Sequence, residues 1–273
     1  MELSISTALA FPRKDGQSGY EYLDERIKMI KNSGFNNVTL WWAEDEFEKQ
    51  SDQLKILEKY NVTADNAHLP YAKCNDLWMP KGHNENYVNE TIAALRECSE
   101  CGISTVVFHV STSKITPVFS EVGLDRLRRI VDAAEKYNVR IAFENLRMPK
   151  YLEYIISNIR SDKVGVCYDS GHNNYCYPAE SIIRKYNDKI FAVHLHDNFG
   201  RSDEHLIPFD GIAPWEEITS AIADSGFESI SLEIHKYSRY DNVSCESFLE
   251  KAYIAAERLK EMTMARKMIN NNK

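Results

Sequence analysis

Eight short runs rich in β-branched and aromatic residues alternate with amphipathic helical runs from one end of the chain to the other, and this alternation restricts the fold most. The predicted strands are LSISTAL, NNVTLWW, VTADNAH, STVVFHV, VRIAFEN, VGVCYDS, IFAVHLH and SISLEIH. Between them stand helical runs such as YEYLDERIKMIKNSG, LDRLRRIVDAAEKYN and WEEITSAIADSG, with apolar residues at spacings of three and four. Gly34, Gly102, Asn138 and Gly226 are the expected stop signals. A strand, helix, strand repeat without hairpin signals implies parallel pairing through right-handed crossovers. Eight such units close into a (β/α)8 TIM barrel of about 250 residues. The 273-residue chain is therefore read as a single α/β domain spanning 1–273. A doubly wound open sheet is the competing architecture, but no GxGxxG follows the first strand to mark its dinucleotide crevice.

A net charge of −8 opposes a broad polyphosphate-binding surface, because nucleic-acid affinity draws on Lys and Arg that neutralise phosphates. A nucleic-acid partner is therefore not expected. No apolar run is long enough to span a bilayer, and the first residues carry no basic leader followed by a long apolar segment. The expectation is a cytoplasmic protein with no membrane contact. The six cysteines then read as free thiols. Cys98 and Cys101 form a CxxC, but it sits within the helical run YVNETIAALRECSECG with no second CxxC, which favours a packed helix over a metal knot. The connections between elements look short. Exposed aromatics in NAHLPYAKCNDLWMP could serve a lid or a homo-oligomer contact.

In a parallel barrel all strand ends point to one face, so residues far apart in sequence converge there if each closes a strand. His68 follows the third predicted strand, His109 lies near the end of the fourth, Glu144 ends the fifth, and Asp169 and His172 end the sixth. His194 lies in the seventh and Glu233 in the eighth, while Asp203 and His205 follow in the loop NFGRSDEHLIP. Carboxylates at the inner end of a strand are costly to desolvate unless something neutralises them, and a divalent cation does so directly. Mixed imidazole and carboxylate donors with room for water suit Mn²⁺, Zn²⁺, Co²⁺ or Mg²⁺. A single histidine such as His68 or His109 has an ordinary core role as its simplest reading. Glu144, flanked by Ala142, Phe143 and Leu146, and Glu233, between Leu232 and Ile234, are harder to explain without function. Arg147 and Arg201 follow the proposed ligands and read either as substrate contacts or as solvated loop residues. His196 and His235 neighbour stronger candidates and read as supporting or substrate groups. Of Trp41 and Trp42, one could wall the pocket while the other faces the helices.

The motifs AFEN at Glu144, YDSGH at Asp169 to His172, VHLHDN at His194 to Asn198, DEHLIP at Asp203 to Pro208 and LEIH at Glu233 resemble the xylose isomerase-like barrels over nearly the whole chain. That family includes sugar and sugar-phosphate isomerases and epimerases, inosose dehydratases and apurinic-site endonucleases. The resemblance implies one metal held by Glu144, Asp169, His194 and Glu233, with the two glutamates exchanging protons with an open-chain keto-sugar or sugar phosphate. His172, Arg147, Arg201, His196 and Trp41 are the expected substrate contacts. The same resemblance implies two alternatives. One is a zinc hydrolase using His68, His109, Glu144, Asp169, His172, His194, Asp203, His205 and Glu233 as an endonuclease-like ligand set, and the other is a dehydratase-like lyase. The segment LIPFDGIAPW departs from the glycine-rich turn of many relatives, with Phe209 and Asp210 in place of small or acidic residues. This makes transfer of a substrate by analogy unsafe.

Overall fold

A computed structural model describes residues 1–44, 46–80, 85–112 and 116–271. All eight predicted strands are present: β1 Glu2–Ser6, β2 Asn37–Trp41, β3 Thr63–His68, β4 Thr105–Phe108, β5 Arg140–Glu144, β6 Val164–Asp169, β7 Ile190–His194 and β8 Ser229–Leu232. The helices are α1 Gly19–Ser33, α2 Gln53–Lys59, α3 Glu85–Glu100, α4 Glu121–Tyr137, α5 Pro149–Asn158, α6 Ser170–Cys176, α7 Ile182–Lys185, α8 Trp215–Ser225 and α9 Cys245–Asn271. Sheet order runs β7-β6-β5-β4-β3-β2-β1-β8, with every neighbouring pair parallel. The remaining seam, between β7 and β8, is joined just beyond β7 by a parallel bridge from Leu195 to Leu232. Leu195 donates to Ser231 at 2.9 Å, and Glu233 donates back to Leu195 at 3.2 Å. The sheet is thus a (β/α)8 barrel rather than an open doubly wound sheet.

Strand alternation separates two environments. Ile5, Val38, Leu40, Val106, Phe108, Ile141, Phe143, Val166, Val193 and Ile230 join the main core against the helices. Val107, Ala142, Cys167 and Ala192 form a second, small cluster on the opposite side of β4 to β7. The hydroxyls of Thr39 and Ser231 meet at 3.0 Å across the barrel's inner side. With such short side chains at mid-height, the bulky polar groups are concentrated one layer higher, at the carboxyl ends of the strands.

The stop signals act as expected. Gly34, Asn138 and Gly226 cap α1, α4 and α8 in the left-handed conformation. At Gly34 a Cβ would also lie 2.7 Å from the Tyr253 ring, so glycine serves packing as well as backbone freedom. The α1 start is a capping box between Ser18 and Glu21. Cys98 is buried within α3 and all six cysteines are free thiols, as expected for a packed helix. One expectation is corrected: the connections are not uniformly short, for the chain between β7 and α8 runs from residue 195 to residue 214. It is long because it folds back on itself and pairs Asp197 with Leu206 in antiparallel fashion. Among the described residues, no helix is long and apolar enough to cross a membrane.

Candidate active site

Side chains of four strands meet at the carboxyl end of the barrel. One donor atom from each of Glu144, Asp169, His194 and Glu233 lies within 4.8 Å of the others. Glu144 and Asp169 end β5 and β6, His194 ends β7, and Glu233 immediately follows β8. Parallel register explains the meeting, since Asp169 pairs with His194 across neighbouring strands and Glu144 pairs with Cys167. Nδ1 of His194 stands 3.1 Å from Glu233 Oε2 and 3.5 Å from Glu144 Oε2.

The other expected ligands surround this centre. His109 Nε2 is 2.9 Å from Glu144 Oε2 and 3.1 Å from His68 Nε2. His172 Nδ1 is 3.1 Å from Glu144 Oε1, and its Nε2 is 3.1 Å from Asp203 Oδ2. His205 Nε2 lies 3.4 Å from Asp203 Oδ1. Two ring tautomers follow from carbonyls that can only accept: His68 Nδ1 faces the Leu69 carbonyl at 3.0 Å, and His205 Nδ1 faces the Glu233 carbonyl at 2.9 Å. With Nδ1 committed to a carbonyl, Nε2 is the nitrogen that loses its proton when either ring binds a metal.

Electrostatics tie these groups together. Burial alone would raise the Glu144 carboxyl, but His109, His172 and His194 more than offset it and hold it well below the usual carboxylate range. Glu233 is held low in the same way, against burial, chiefly by His194. Burial works against a charged His205, yet Asp203 pushes it up to about 9. Asp203 itself is held far below the carboxylate range by His172 and His205, again against burial.

Several buried donor atoms here have no aligned hydrogen-bond partner: both ring nitrogens of His194, Nδ1 of His172, Nδ1 of His196 and Oδ1 of Asp203. Buried polar groups are ordinarily satisfied, so this concentration of orphans around three converging carboxylates and His194 fits a divalent cation in chemistry and in place. Two further candidate groups adjoin the first: His68, His109 and Glu144, and His196, His205 and Glu233.

The expected substrate contacts fall into distinct positions. Trp41 is half-buried, with its ring 5.0 Å from His68 and 5.6 Å from Tyr71, whereas Trp42 is buried in the core against the helices. Arg147 is 39% exposed, 3.6 Å from Asp203 Oδ2 at the rim. His172 and Arg147 both line a pocket of ≈ 130 Å³ with Tyr71, His109, Ser111, Thr112, Leu146 and Asp203. His196 is fully buried, its Nε2 3.1 Å from Asp169 Oδ2, and so sits behind a proposed ligand rather than along that pocket. Arg201 is exposed on the long β7–α8 connection and makes no hydrogen bond or ion pair with the cluster among the described residues. Phe209 turns away from the lip, with its ring 5.6 Å from Trp215 and beneath the Arg258 guanidinium.

Three features escaped the sequence reading. Tyr71 stacks on His109 at 4.3 Å, and its only sequence signal was a tyrosine shortly after the third strand. His196, His205 and His235 form a ring stack at 4.0 and 4.1 Å. Asp197 organises the long connection, although in sequence it is just one more acidic residue after His196.

Comparison with known proteins agrees with this architecture. The family described as xylose isomerase-like TIM barrel matches residues 27–262. An uncharacterized protein, y4fM, of Sinorhizobium fredii is 37% identical over 177 residues, covering 59% of this chain and 56% of that protein. A D-psicose 3-epimerase from Clostridium cellulolyticum H10, solved with D-tagatose, superposes with a TM-score of 0.77 at 17% identity, covering 96% of this chain and 99% of that one. The IOLI protein solved with a zinc atom superposes with a TM-score of 0.72 at 18% identity, covering 97% and 99%. At such identities the structural likeness speaks for the fold.

Proposed function

The chain belongs to the xylose isomerase-like TIM barrel family, and from that premise we propose that it is a divalent-metal-dependent epimerase or isomerase of a small keto-sugar or sugar phosphate. One observation carries the reading: Glu144, Asp169, His194 and Glu233, from four different strands, present donor atoms within 4.8 Å of one another. These four would hold Mn²⁺, Zn²⁺, Co²⁺ or Mg²⁺, which when bound supplies Lewis-acid polarisation of adjacent carbonyl and hydroxyl oxygens. The epimerase and zinc-bearing neighbours support the same class of chemistry.

The protein's own groups account for the proton movement. Glu144 and Glu233 are both ionised, so either carboxylate can accept the proton on the hydroxyl-bearing carbon next to the carbonyl, leaving an enediolate. The other glutamate, once it has taken up a proton from solvent, delivers it to the opposite face for epimerisation or to the neighbouring carbon for isomerisation, and the first returns the abstracted proton to solvent. His172 and His109 bracket the Glu144 carboxylate and restrict its rotation. His194 does the same for Glu233. Trp41 and Tyr71 wall one side of the cluster with aromatic surface on which a sugar face can rest. Arg147, Ser111 and Thr112 offer donors to substrate hydroxyls or a phosphate.

The test is metal-dependent incorporation of solvent deuterium into a panel of keto-sugars and their phosphates. Exchange that is lost on chelation and restored by Mn²⁺, Co²⁺ or Zn²⁺ is expected. Absence of exchange with every sugar, by protein shown to hold metal, would overturn the reading.

A second reading has its own support. The nine expected ligands form one continuous network, in which His68 and His109 flank Glu144 on one side and His172, Asp203 and His205 adjoin on the other. Such a set could hold two or three zinc ions and activate water on a phosphate ester. Metal content separates the two: about one ion per chain supports the sugar enzyme, and two or three zinc ions with phosphodiesterase activity support the hydrolase.

A further inference from the structure

The long β7–α8 connection carries Asp203 and His205, and its shape is governed by a residue that touches neither substrate pocket nor metal-ligand atoms. Asp197 is fully buried and forms no ion pair among the described residues. Four N–H groups converge on its carboxylate instead. The backbone amides of Asn198 and Ala213 donate to Oδ1, each at 2.9 Å, while the Phe209 amide at 3.0 Å and the Trp215 indole at 2.8 Å donate to Oδ2. Its backbone also exchanges two hydrogen bonds with Leu206, at 2.8 and 2.9 Å. The chain therefore returns to this one residue at positions 206, 209, 213 and 215, and the excursion between 197 and 206 holds the two proposed ligands.

Two observations show that this arrangement is imposed on the loop. His205 and Phe209 are non-glycine residues at φ 45° and 76°, a strained backbone region that persists only where surrounding contacts over-determine it. Gly211 passes so close that a Cβ there would lie 2.3 Å from Asp197 Oδ1.

We infer that Asp197 is a positioning residue: its buried carboxylate sets where Asp203 and His205 stand relative to His172 and Glu233. The assignment rests on the proposed reading only in treating Asp203 and His205 as part of the metal site. In Asp197→Asn the amide nitrogen cannot accept, so the donors that meet it lose their acceptor. His205 then drifts from the Glu233 carbonyl that fixes its tautomer. Gly211→Ala displaces the same carboxylate from outside and should reproduce the effect by an independent route.

The experiment compares imidazole N–H exchange in the full-length protein by NMR, together with metal affinity. In both variants the His205 Nδ1–H should exchange at least tenfold faster than in the parent, while the His68 Nδ1–H, held by the Leu69 carbonyl, stays protected. Zinc affinity should fall by roughly 10–100-fold, the usual effect of losing a group that orients a ligand. The inference is overturned if His205 stays as protected as in the parent. It is equally overturned if His68 and His205 lose protection together, because Asp197 would then support the barrel generally. Should the parent protein bind no metal, the proposed function fails, while the imidazole comparison still decides the role of Asp197.

Discussion

His109 Nε2 stands 2.9 Å from Glu144 Oε2, inside a barrel mouth where Glu144 is only 1% exposed. A carboxylate so deeply buried remains ionised because imidazoles surround it, and with its neighbours it forms a preorganised charge cluster rather than a set of solvated surface groups.

If Glu144 and Glu233 are the two proton-transfer groups, Glu144→Gln and Glu233→Gln should each lower solvent-deuterium exchange and kcat by about 10²–10⁴-fold, the usual contribution of a positioned acid or base. Metal affinity should fall less, because the amide oxygen can still bind. Either variant turning over at near the parent rate would count against the scheme.

Removing the metal should destabilise the fold. A ligand present at 100 times its Kd stabilises by about 2.7 kcal/mol, and a chain of this length shifts by roughly 2–4 °C per kcal/mol. Calorimetry before and after chelation should therefore show Tm falling by roughly 5–11 °C. An unchanged Tm would mean that the cluster holds no ion under those conditions.

The metal-free protein should lose stability with rising pH above neutrality. His205 is pushed from 6.5 up to about 9, against burial, by Asp203. A group whose folded pKa is raised contributes stability that is complete below its unfolded value and lost as pH rises through its folded value. The window is therefore about pH 6.5 to 9, and His205→Asn should flatten Tm against pH across it. Metal binding in the same window should release protons and strengthen as pH rises, measurable by titration calorimetry in buffers of different ionisation heat.

Gly171 packs against the His196 ring so closely that an added Cβ would lie 1.9 Å from its Cε1. Gly171→Ala should cost about 1–3 kcal/mol through overpacking and push His196 away from Asp169 Oδ2. Lower Tm together with weaker metal binding is the expected pair of results. A loss of Tm with metal affinity unchanged would show that His196 does not orient Asp169.

By itself, the sequence determined the eight strands, the helix stops and the side chains gathered at the carboxyl face. These depend on local periodicity and on the rule that parallel strands end together, so Glu144, Asp169, His194 and Glu233 could be named from their places in the strands. The alternation of Trp41 and Trp42 likewise put them on opposite sides of β2, but the packing of Trp42 into the core decided which one faces the site. Only the tertiary structure decided the rest. Leu195 bridges to Leu232 across the barrel's last seam, Tyr71 stacks on His109, and four N–H groups from three separate stretches of chain converge on the Asp197 carboxylate. None of these contacts has a sequence period, because each depends on where an irregular connection returns in space, and burial then makes a misplaced polar group too costly to leave unpaired.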